Sequence, residues 1–280
     1  MLEILFILLG CILGIITGLT PGIHINLVAA ILFSLHQTIK LNDISLIIII
    51  ISMSITHIFL DIIPTTFLGV PSEDSVITIL PAHKLLLEGK AHEAVLLTLT
   101  GTVISIFFII MLCPLLIFIL PKIQDYFSEH IPVILIILLL FLILKEKNRF
   151  LSFQIFILSG FLGISVLNFP NIKEPLLPLL SGLFGVSSLF LSIKNKTIIP
   201  KQEFSEIKIN FIKIKYIFFG AISGLVSAFL PGFGSSQMAV LTSSVLRKLE
   251  SKDYLILSSS INAVNLIGSF ITLYSINKAR

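Results

Sequence analysis

Residues 14–22 of the chain are GIITGLTPG, and residues 224–232 are GLVSAFLPG. Both segments lie within long apolar runs, and the spacing from the first glycine to the Pro-Gly pair is the same in both. Proline cannot donate a backbone hydrogen bond and glycine tolerates unusual dihedral angles, so Pro-Gly interrupts a helix and frees backbone groups that need partners. The two segments therefore predict two helices, each broken at a matching position.

The composition places these breaks inside a membrane protein. Of the 280 residues, 56% are hydrophobic and only 12% are charged, and the mean hydropathy is +1.08. Soluble domains carry about a quarter charged residues, and this chain has too few for a water-facing surface. We expect an all-α integral membrane protein, a single polytopic domain over 1–280, with about eight to ten transmembrane or re-entrant helical segments of the length that a bilayer requires.

The apolar runs predict where these segments lie. The expected helices cover residues 2–19, 25–35, 44–68, 94–120, 131–144, 150–167, 175–193, 211–245 and 254–276. A shorter run, Val76–Leu87, is expected to be re-entrant. The polar, lysine-rich loop 194–215 separates two repeat-like halves, 1–120 and 211–280, which are joined by connecting helices. A second, short similarity between the halves aligns Ser52–Thr56 with Ser258–Asn262.

The charge distribution predicts orientation rather than a nucleic-acid partner. The net charge of +4 comes from basic residues in short loops between apolar runs, which is typical of the positive-inside pattern. We therefore expect the clusters at 145–149 and 194–215 in the cytoplasm, with Lys84 and Lys90, in a multi-pass plasma-membrane protein surrounded by lipid. The sequence leaves open whether each Pro-Gly unit crosses the membrane or folds back as a hairpin.

Polar residues follow both breaks. A helix that restarts inside a membrane offers free backbone amides and the positive end of its dipole, which attract an anion. Paired breaks in corresponding halves point to a transporter's binding site. The predicted substrate-binding residues are Pro21, Gly22, His24, Asn26, Pro231, Gly232, Gly234, Ser235 and Ser236, together with the amides Asn262 and Asn265 in the last span. The alternative is a pair of proline kinks whose glycines only pack helices together.

Ionisable residues inside apolar runs form a second group. His57 and Asp61 are four residues apart and so lie on one helix face, where a charge costs roughly 2.5–3.5 kcal/mol. Sharing a proton or a cation would offset that cost, so we predict a coupling site or proton relay at His57, Asp61, Glu73 and Asp74. The alternatives are a hydrogen bond made for packing by the first two, and a helix whose first turn carries acids for the last two.

Four stretches resemble a known family. Residues 18–26 (GLTPGIHIN), 56–74, 80–89 (LPAHKLLLEG) and 230–236 (LPGFGSS) are similar to the large membrane subunit of tripartite tricarboxylate transporters, and most to its uncharacterised archaeal branch. The middle of the chain is similar only as apolar helix. The resemblance implies a secondary carrier with a carboxylate site between two broken helices, driven by a proton or sodium gradient. It also implies a small membrane subunit and an extracytoplasmic binding protein as partners.

The leading hypothesis is therefore a permease for a small organic anion, a carboxylate, coupled to H+ or Na+, with no other cofactor, no metal site and no catalytic residues. A carrier of a phosphate-bearing lipid is an alternative, because the same helix ends would hold its headgroup. An intramembrane hydrolase with a metal near His57 and Asp61 is another, although no HExxH or serine nucleophile motif supports it. A structural subunit and a homodimer also stay open.

Overall fold

The computed structural model describes residues 2–20, 23, 25–39, 41–68, 79–169, 179, 182–183, 190, 199–204, 211–246 and 249–276. Several predictions fall on residues outside these ranges: Pro21, Gly22, His24, Glu73, Asp74 and most of the expected span 175–193. The side chain of Asn26 is also outside the description, although its backbone belongs to a helix.

The described residues form helices and turns, without a strand in those ranges. The helices are α1 (Leu2–Leu19), α2 (Ile25–Ile39), α3 (Asp43–Leu60), α4 (Ile62–Leu68), α5 (Ile79–Leu87), α6 (Ala91–Phe127), α7 (Ile131–Lys145), α8 (Arg149–Leu167), α9 (Phe211–Phe229), α10 (Ser235–Leu246) and α11 (Ser251–Ile276). The predicted all-α fold is confirmed.

Five of these stretches are long and apolar enough to cross a membrane: α1, α3 together with α4, most of α6, α8 and α11. Two further apolar helices, α7 and most of α9, are shorter. Helix α6 has 37 residues, which at 1.5 Å per residue is about 55 Å and exceeds the hydrocarbon thickness of roughly 30 Å. The protein is therefore a multi-pass helical membrane protein, as the composition predicted.

Helices α1 and α3 pack side by side and run parallel. The glycines of α1 approach α3 at three levels: Gly10 at Ser52, Gly14 at Thr56 and Gly18 at Leu60. Because the partner number rises in step with the glycine number, the two helices point in the same direction. The chain must return between them, and α2 is the helix that carries it back. Helices α1 and α2 are therefore the two arms of a hairpin.

The same arrangement recurs near the end of the described chain. Helix α9 contacts α11 with Gly220 at Ser260, Gly224 at Val264 and Ala228 at Gly268. These contacts again advance in one direction, so α9 and α11 are parallel. Helix α10 returns along α9, and the Thr242 hydroxyl donates a hydrogen bond to the Ser223 hydroxyl over 2.7 Å. The second Pro-Gly unit also folds back.

Helix α11 forms the centre of the core, between α6 and α9. Its residues Leu255–Ile261 are all buried. On the α6 side, the Ser260 hydroxyl donates to the Gly101 carbonyl over 3.3 Å, and Gly268 lies beside Ile109. The small residues at these levels allow the two backbones to approach closely.

The middle helices lie at the edge of this core. The start of α7 packs against α10 and the second break, where Ile131 joins a cluster with Phe233 and Met238. Helix α8 contacts α7, and none of its nineteen described residues is buried. Its apolar side chains are therefore available to lipid along its whole length.

Two of the segments expected in the cytoplasm, the described loop residues 199–204 and the turn that carries Lys90, contact each other. In the 194–215 loop, Gln202 accepts a hydrogen bond from the Ala91 amide over 2.9 Å and donates to the Leu86 carbonyl over 3.1 Å. This contact brings the loop to the turn between α5 and α6, which carries Lys90. Helix α5 has nine residues, too few to span, and packs inside the protein through Leu85.

Candidate substrate and coupling sites

The second Pro-Gly pair forms a tight turn between two helices. Helix α9 ends at Phe229 and α10 begins at Ser235. The Phe233 amide donates to the Leu230 carbonyl over 3.4 Å, and Gly232 has a φ of 77°. Proline in the second position and a positive φ in the third define a type II β-turn, which favours glycine or asparagine in that third position. Pro231 and Gly232 are therefore explained locally by this turn.

The described atoms around the first break make the same hydrogen bonds. The Ile23 amide donates to the Thr20 carbonyl over 3.3 Å, and the Thr20 amide donates to the Ile16 carbonyl over 3.1 Å. At the second break, the Leu230 amide likewise donates to the Val226 carbonyl over 3.0 Å. The flanks of the two breaks thus share one backbone geometry.

A buried hydroxyl connects the second break to α11. The Ser227 hydroxyl donates to the Phe233 carbonyl over 2.8 Å and lies 3.0 Å from Oδ1 of Asn265. Ser227 has no exposed surface, so both contacts are shielded from lipid and water. Asn265, a predicted substrate residue, therefore lies beside the break. Asn262, one turn earlier on α11, is half-buried.

The N-terminus of α10 follows the turn directly. Gly234 precedes the helix and accepts a hydrogen bond from the Met238 amide over 3.2 Å. Ser235, the first helical residue, is only 2% exposed, and Ser236 is half-buried. A helix of 12 residues carries a positive partial charge at this end, so the predicted residues 234–236 lie at a buried helix N-terminus.

The two predicted coupling residues lie at the end of α3. His57 Nδ1 is 3.0 Å from the Thr17 hydroxyl of α1, and that hydroxyl donates to the Gly14 carbonyl over 3.3 Å. Asp61 follows α3, and its amide donates to the His57 carbonyl over 2.9 Å. Both residues are half-buried, one helical turn apart on one face.

Thr17 and Ser227 were missed by the sequence reasoning. Each hydroxyl residue precedes the proline of its break by four positions, and each contacts a polar side chain of the parallel helix. This shared spacing is visible within the two quoted segments. The roles predicted for Pro21, Gly22, His24, Asn26, Glu73 and Asp74 stay predictions, because the structure does not describe those residues or, for Asn26, the side chain.

Two surface cavities lie away from these sites. One, of 450 Å³, is lined by Phe141, Leu144, Lys145, Ser244 and Val245. The other, of 330 Å³, is lined by Lys84, Leu85, Glu88, Leu249, Glu250, Ser251 and Lys252. Neither includes a described residue of the predicted substrate or coupling sites. In the part of the chain that the structure describes, no three His, Cys, Asp or Glu residues gather in a metal-binding arrangement.

Comparison with known proteins agrees with the resemblance seen in the motifs. The model of the tripartite tricarboxylate transporter TctA family matches residues 4–280, including the middle of the chain. A protein of Methanocaldococcus jannaschii, the uncharacterised protein MJ1079, is 32% identical over 286 residues, which cover 100% of this chain and 71% of that protein. No solved structure matches. The chain therefore belongs to the TctA family of tripartite tricarboxylate transporters.

Proposed function

We propose that this protein is a secondary active permease that carries a small carboxylate anion across the plasma membrane, coupled to a proton or sodium gradient. Its membership of a family of tripartite tricarboxylate transporters supports transport of an organic anion. The observation that carries the site assignment is the buried N-terminus of α10 behind the Pro231-Gly232 turn, with Ser235 at its first position.

This helix end suits an anion for two reasons. The helix dipole adds about half a positive charge at this end. The surrounding segment 224–246 contains no Asp or Glu, so nothing in that segment repels a carboxylate. The proposed ligands here are the backbone amides and the Ser235 and Ser236 hydroxyls, with Asn265 and Asn262 supplied by α11.

The first break completes the proposed site. Its residues Pro21, Gly22, His24 and Asn26 would contribute in the same way, since their described flanks share the hydrogen bonds of the second break. The proposed motion is a rocking of the halves 1–120 and 211–280 about the two breaks, which would open the site to each side of the membrane in turn.

The proposed coupling site is His57 and Asp61, with Glu73 and Asp74. Two ionisable residues in the membrane-spanning stretch Asp43–Leu68 are costly unless their charge is used or compensated. Proton or cation binding at this position would link the gradient to the state of the first break, because Thr17 joins His57 to α1 one turn before that break.

Partners follow from the family. A tripartite system supplies a small membrane subunit and an extracytoplasmic binding protein, and we propose both as partners of this chain. The exposed apolar helix α8 offers surface for lipid and for the small subunit.

Uptake into proteoliposomes tests this proposal. The purified protein would be given a panel of radiolabelled di- and tricarboxylates under an imposed proton or sodium gradient. We expect gradient-dependent uptake of at least one acid. For Asp61→Asn we expect a decrease of about tenfold, the size expected when a hydrogen bond to a charged group is lost, and for Pro231→Ala a decrease because the turn before α10 loses the residue that fixes its φ. Ser152→Ala on exposed α8 is the control.

Absence of uptake for every acid by monodisperse, fully folded protein would contradict the carboxylate assignment for the chain alone. Transfer of a fluorescent phospholipid between leaflets, measured in the same vesicles, would then support the lipid carrier. Equal uptake by the wild type and both variants would contradict the assigned site.

A further inference from the structure

The two hairpin-and-helix units, 2–68 and 211–276, make the same contacts in the same order. The contact of Gly10 with Ser52 matches that of Gly220 with Ser260, and the contact of Gly14 with Thr56 matches that of Gly224 with Val264. In the same way, the contact of Thr17 with His57 matches that of Ser227 with Asn265. The residue numbers of matching positions in α1 and α9 differ by the same amount in all three contacts. The same holds for matching positions in α3 and α11.

This register differs from the one that the sequence suggested. The short sequence similarity aligned Ser52 with Ser258, whereas the contacts align Ser52 with Ser260. The serine run at 258–260 offers several matches by identity, and only the contacts distinguish between them. In the contact register, the stretch Asp43–Leu68 corresponds to Ser251–Ile276, and both have 26 residues.

In the contact register, residues at corresponding positions make similar contacts but have different chemical groups. His57 corresponds to Asn265, since each contacts the hydroxyl that precedes its proline by four positions. Asp61 corresponds to Ser269, which is one turn beyond Asn265 and donates to its carbonyl over 2.7 Å. The first unit thus carries two titratable side chains where the second carries two neutral ones.

We propose that the two units are structural counterparts and that proton coupling belongs to the first alone, through His57 and Asp61, whereas Asn265 and Ser269 occupy the matching positions of the second unit without a titratable group. This inference rests on the proposed transport function and adds an asymmetry to it. The second break keeps one charge state at all pH values, and the first changes charge with the gradient.

The contacts of Thr17 are consistent with proton binding at His57. The Thr17 hydroxyl is within hydrogen-bond distance of the Gly14 carbonyl, 3.3 Å away, and of His57 Nδ1, 3.0 Å away. When the hydroxyl donates to the carbonyl, an Nδ1–H tautomer donates to the hydroxyl oxygen and leaves Nε2 to bind a further proton. In the second unit, the Ser227 hydroxyl donates to the Phe233 carbonyl, and the Asn265 amide does not titrate.

Asp61, the C-cap residue of α3, is the described titratable residue that lies one turn beyond His57. Helix α3 packs against α1, α2 and α4. The other titratable groups on these four helices are Glu3 and Cys11 on α1, His36 on α2 and Asp43 on α3, whereas α4 has none. Glu3 and Asp43 lie at the starts of α1 and α3, remote from His57. Coupled protonation is therefore assigned to the pair one turn apart.

Exchange of the paired residues tests this proposal. The first variant, His57→Asn with Asp61→Ser, gives the first unit the chemistry of the second. The second variant adds Asn265→His and Ser269→Asp, which moves the titratable pair to the other unit. The matched control is Ser275→Ala, near the end of α11 and away from both breaks.

Two measurements are made on each variant. The first is proton-driven uptake of the acid identified for the wild type, compared with its exchange at equal pH on both sides. The second is the melting temperature in detergent between about pH 5 and pH 8, the range in which histidine titrates, which requires no transport.

We expect the first variant to lose proton-driven accumulation by about tenfold while exchange continues, and its melting temperature to vary less with pH than that of the wild type. The four-residue exchange should restore both pH effects. Unchanged pH dependence in the first variant, or none regained in the exchange, would overturn the proposal.

The two proposals fail separately. A wild type without uptake would contradict the transport function, whereas the pH dependence of melting would still decide the asymmetry. Where a multiple variant elutes as aggregate, the single substitutions His57→Asn and Asn265→His carry the same comparison. Uptake driven by sodium at constant pH, and unaffected by a proton gradient, would also overturn the proton assignment.

Discussion

Lys252 and Glu93 form an ion pair at the ends where α11 and α6 begin, with 2.5 Å between Nζ and Oε1. The Glu93 side chain is 16% exposed and that of Lys252 is 37% exposed, so the pair is partly shielded from water. It holds two parallel helices together at the start of their shared interface.

Replacement of Lys252 by methionine should therefore destabilise the protein. It leaves a mostly buried carboxylate without its partner, at a cost of about 1–3 kcal/mol. The control is Lys90→Met, because the Lys90–Glu88 pair is 41% and 42% exposed and such pairs contribute about 0–1 kcal/mol. Melting temperatures from fluorescence-detected size exclusion compare the two. Equal decreases in melting temperature would show that the shielded pair stabilises the protein no more than the exposed pair does.

Substitution of Gly101 by alanine should lower stability through direct overlap. A Cβ at this position would lie 2.2 Å from the Ser259 hydroxyl and 2.8 Å from the Ile256 carbonyl, and overpacking of this kind costs about 1–3 kcal/mol. Gly160→Ala on α8 is the matched control, since nothing lies within 4 Å of its Cβ. There the better helix propensity of alanine should leave melting unchanged or raise it. A stable Gly101→Ala protein would contradict the close approach of α6 to α11.

Substitution of Gly232 by alanine should strain the second break. An alanine at its φ of 77° costs roughly 1–2 kcal/mol. The type II turn fixes this dihedral angle, so the strain cannot be relieved without loss of the turn. Gly234→Ala is the control, because the nearest atom to its Cβ is the end of the flexible Gln237 side chain. Thermal melting measures both. A smaller loss for Gly232→Asn than for Gly232→Ala is also expected, and the reverse order would argue against this turn.

Removal of the Gln202 side chain should release the loop that it holds against α5 and α6. Loss of its hydrogen bonds to the Leu86 carbonyl and the Ala91 amide should expose the neighbouring Lys201 to trypsin, with cleavage about fivefold faster for each 1 kcal/mol lost. The control is Glu203→Ala, because Glu203 contacts Gly89 through its backbone amide. Equal cleavage of the two variants would show that the Gln202 side chain does not hold the loop.

The existence of the long helices could be predicted from hydropathy alone. The predicted segments 2–19 and 150–167 agree with α1 and α8 to within one residue. This success has a physical cause, since a helix in lipid must satisfy its backbone hydrogen bonds within its own segment. The signal for such a helix is therefore contained in a contiguous run of sequence.

The path of the chain between those helices could not be predicted in the same way. The fold-back of α2 and α10 follows from which helices pair with each other, as Gly14 does with Thr56 and Gly224 with Val264. A glycine in a membrane helix indicates that another helix packs closely there, but it does not indicate which helix that is. The contact between His57 and Thr17 is similarly a product of tertiary packing, although the hydroxyl four positions before each proline was visible in the sequence.

The parallel pairing of α6 with α11 has a consequence for biosynthesis. Glu93 and Lys252 are separated by 159 positions, and a ribosome that adds about 5–20 residues per second needs roughly 8 to 30 s to cover that interval. Throughout this time the newly inserted α6 has Gly101 turned towards a partner that has not been made. Lipid or an insertion chaperone must cover that face in the meantime, so slow translation between the two helices would favour degradation of the chain.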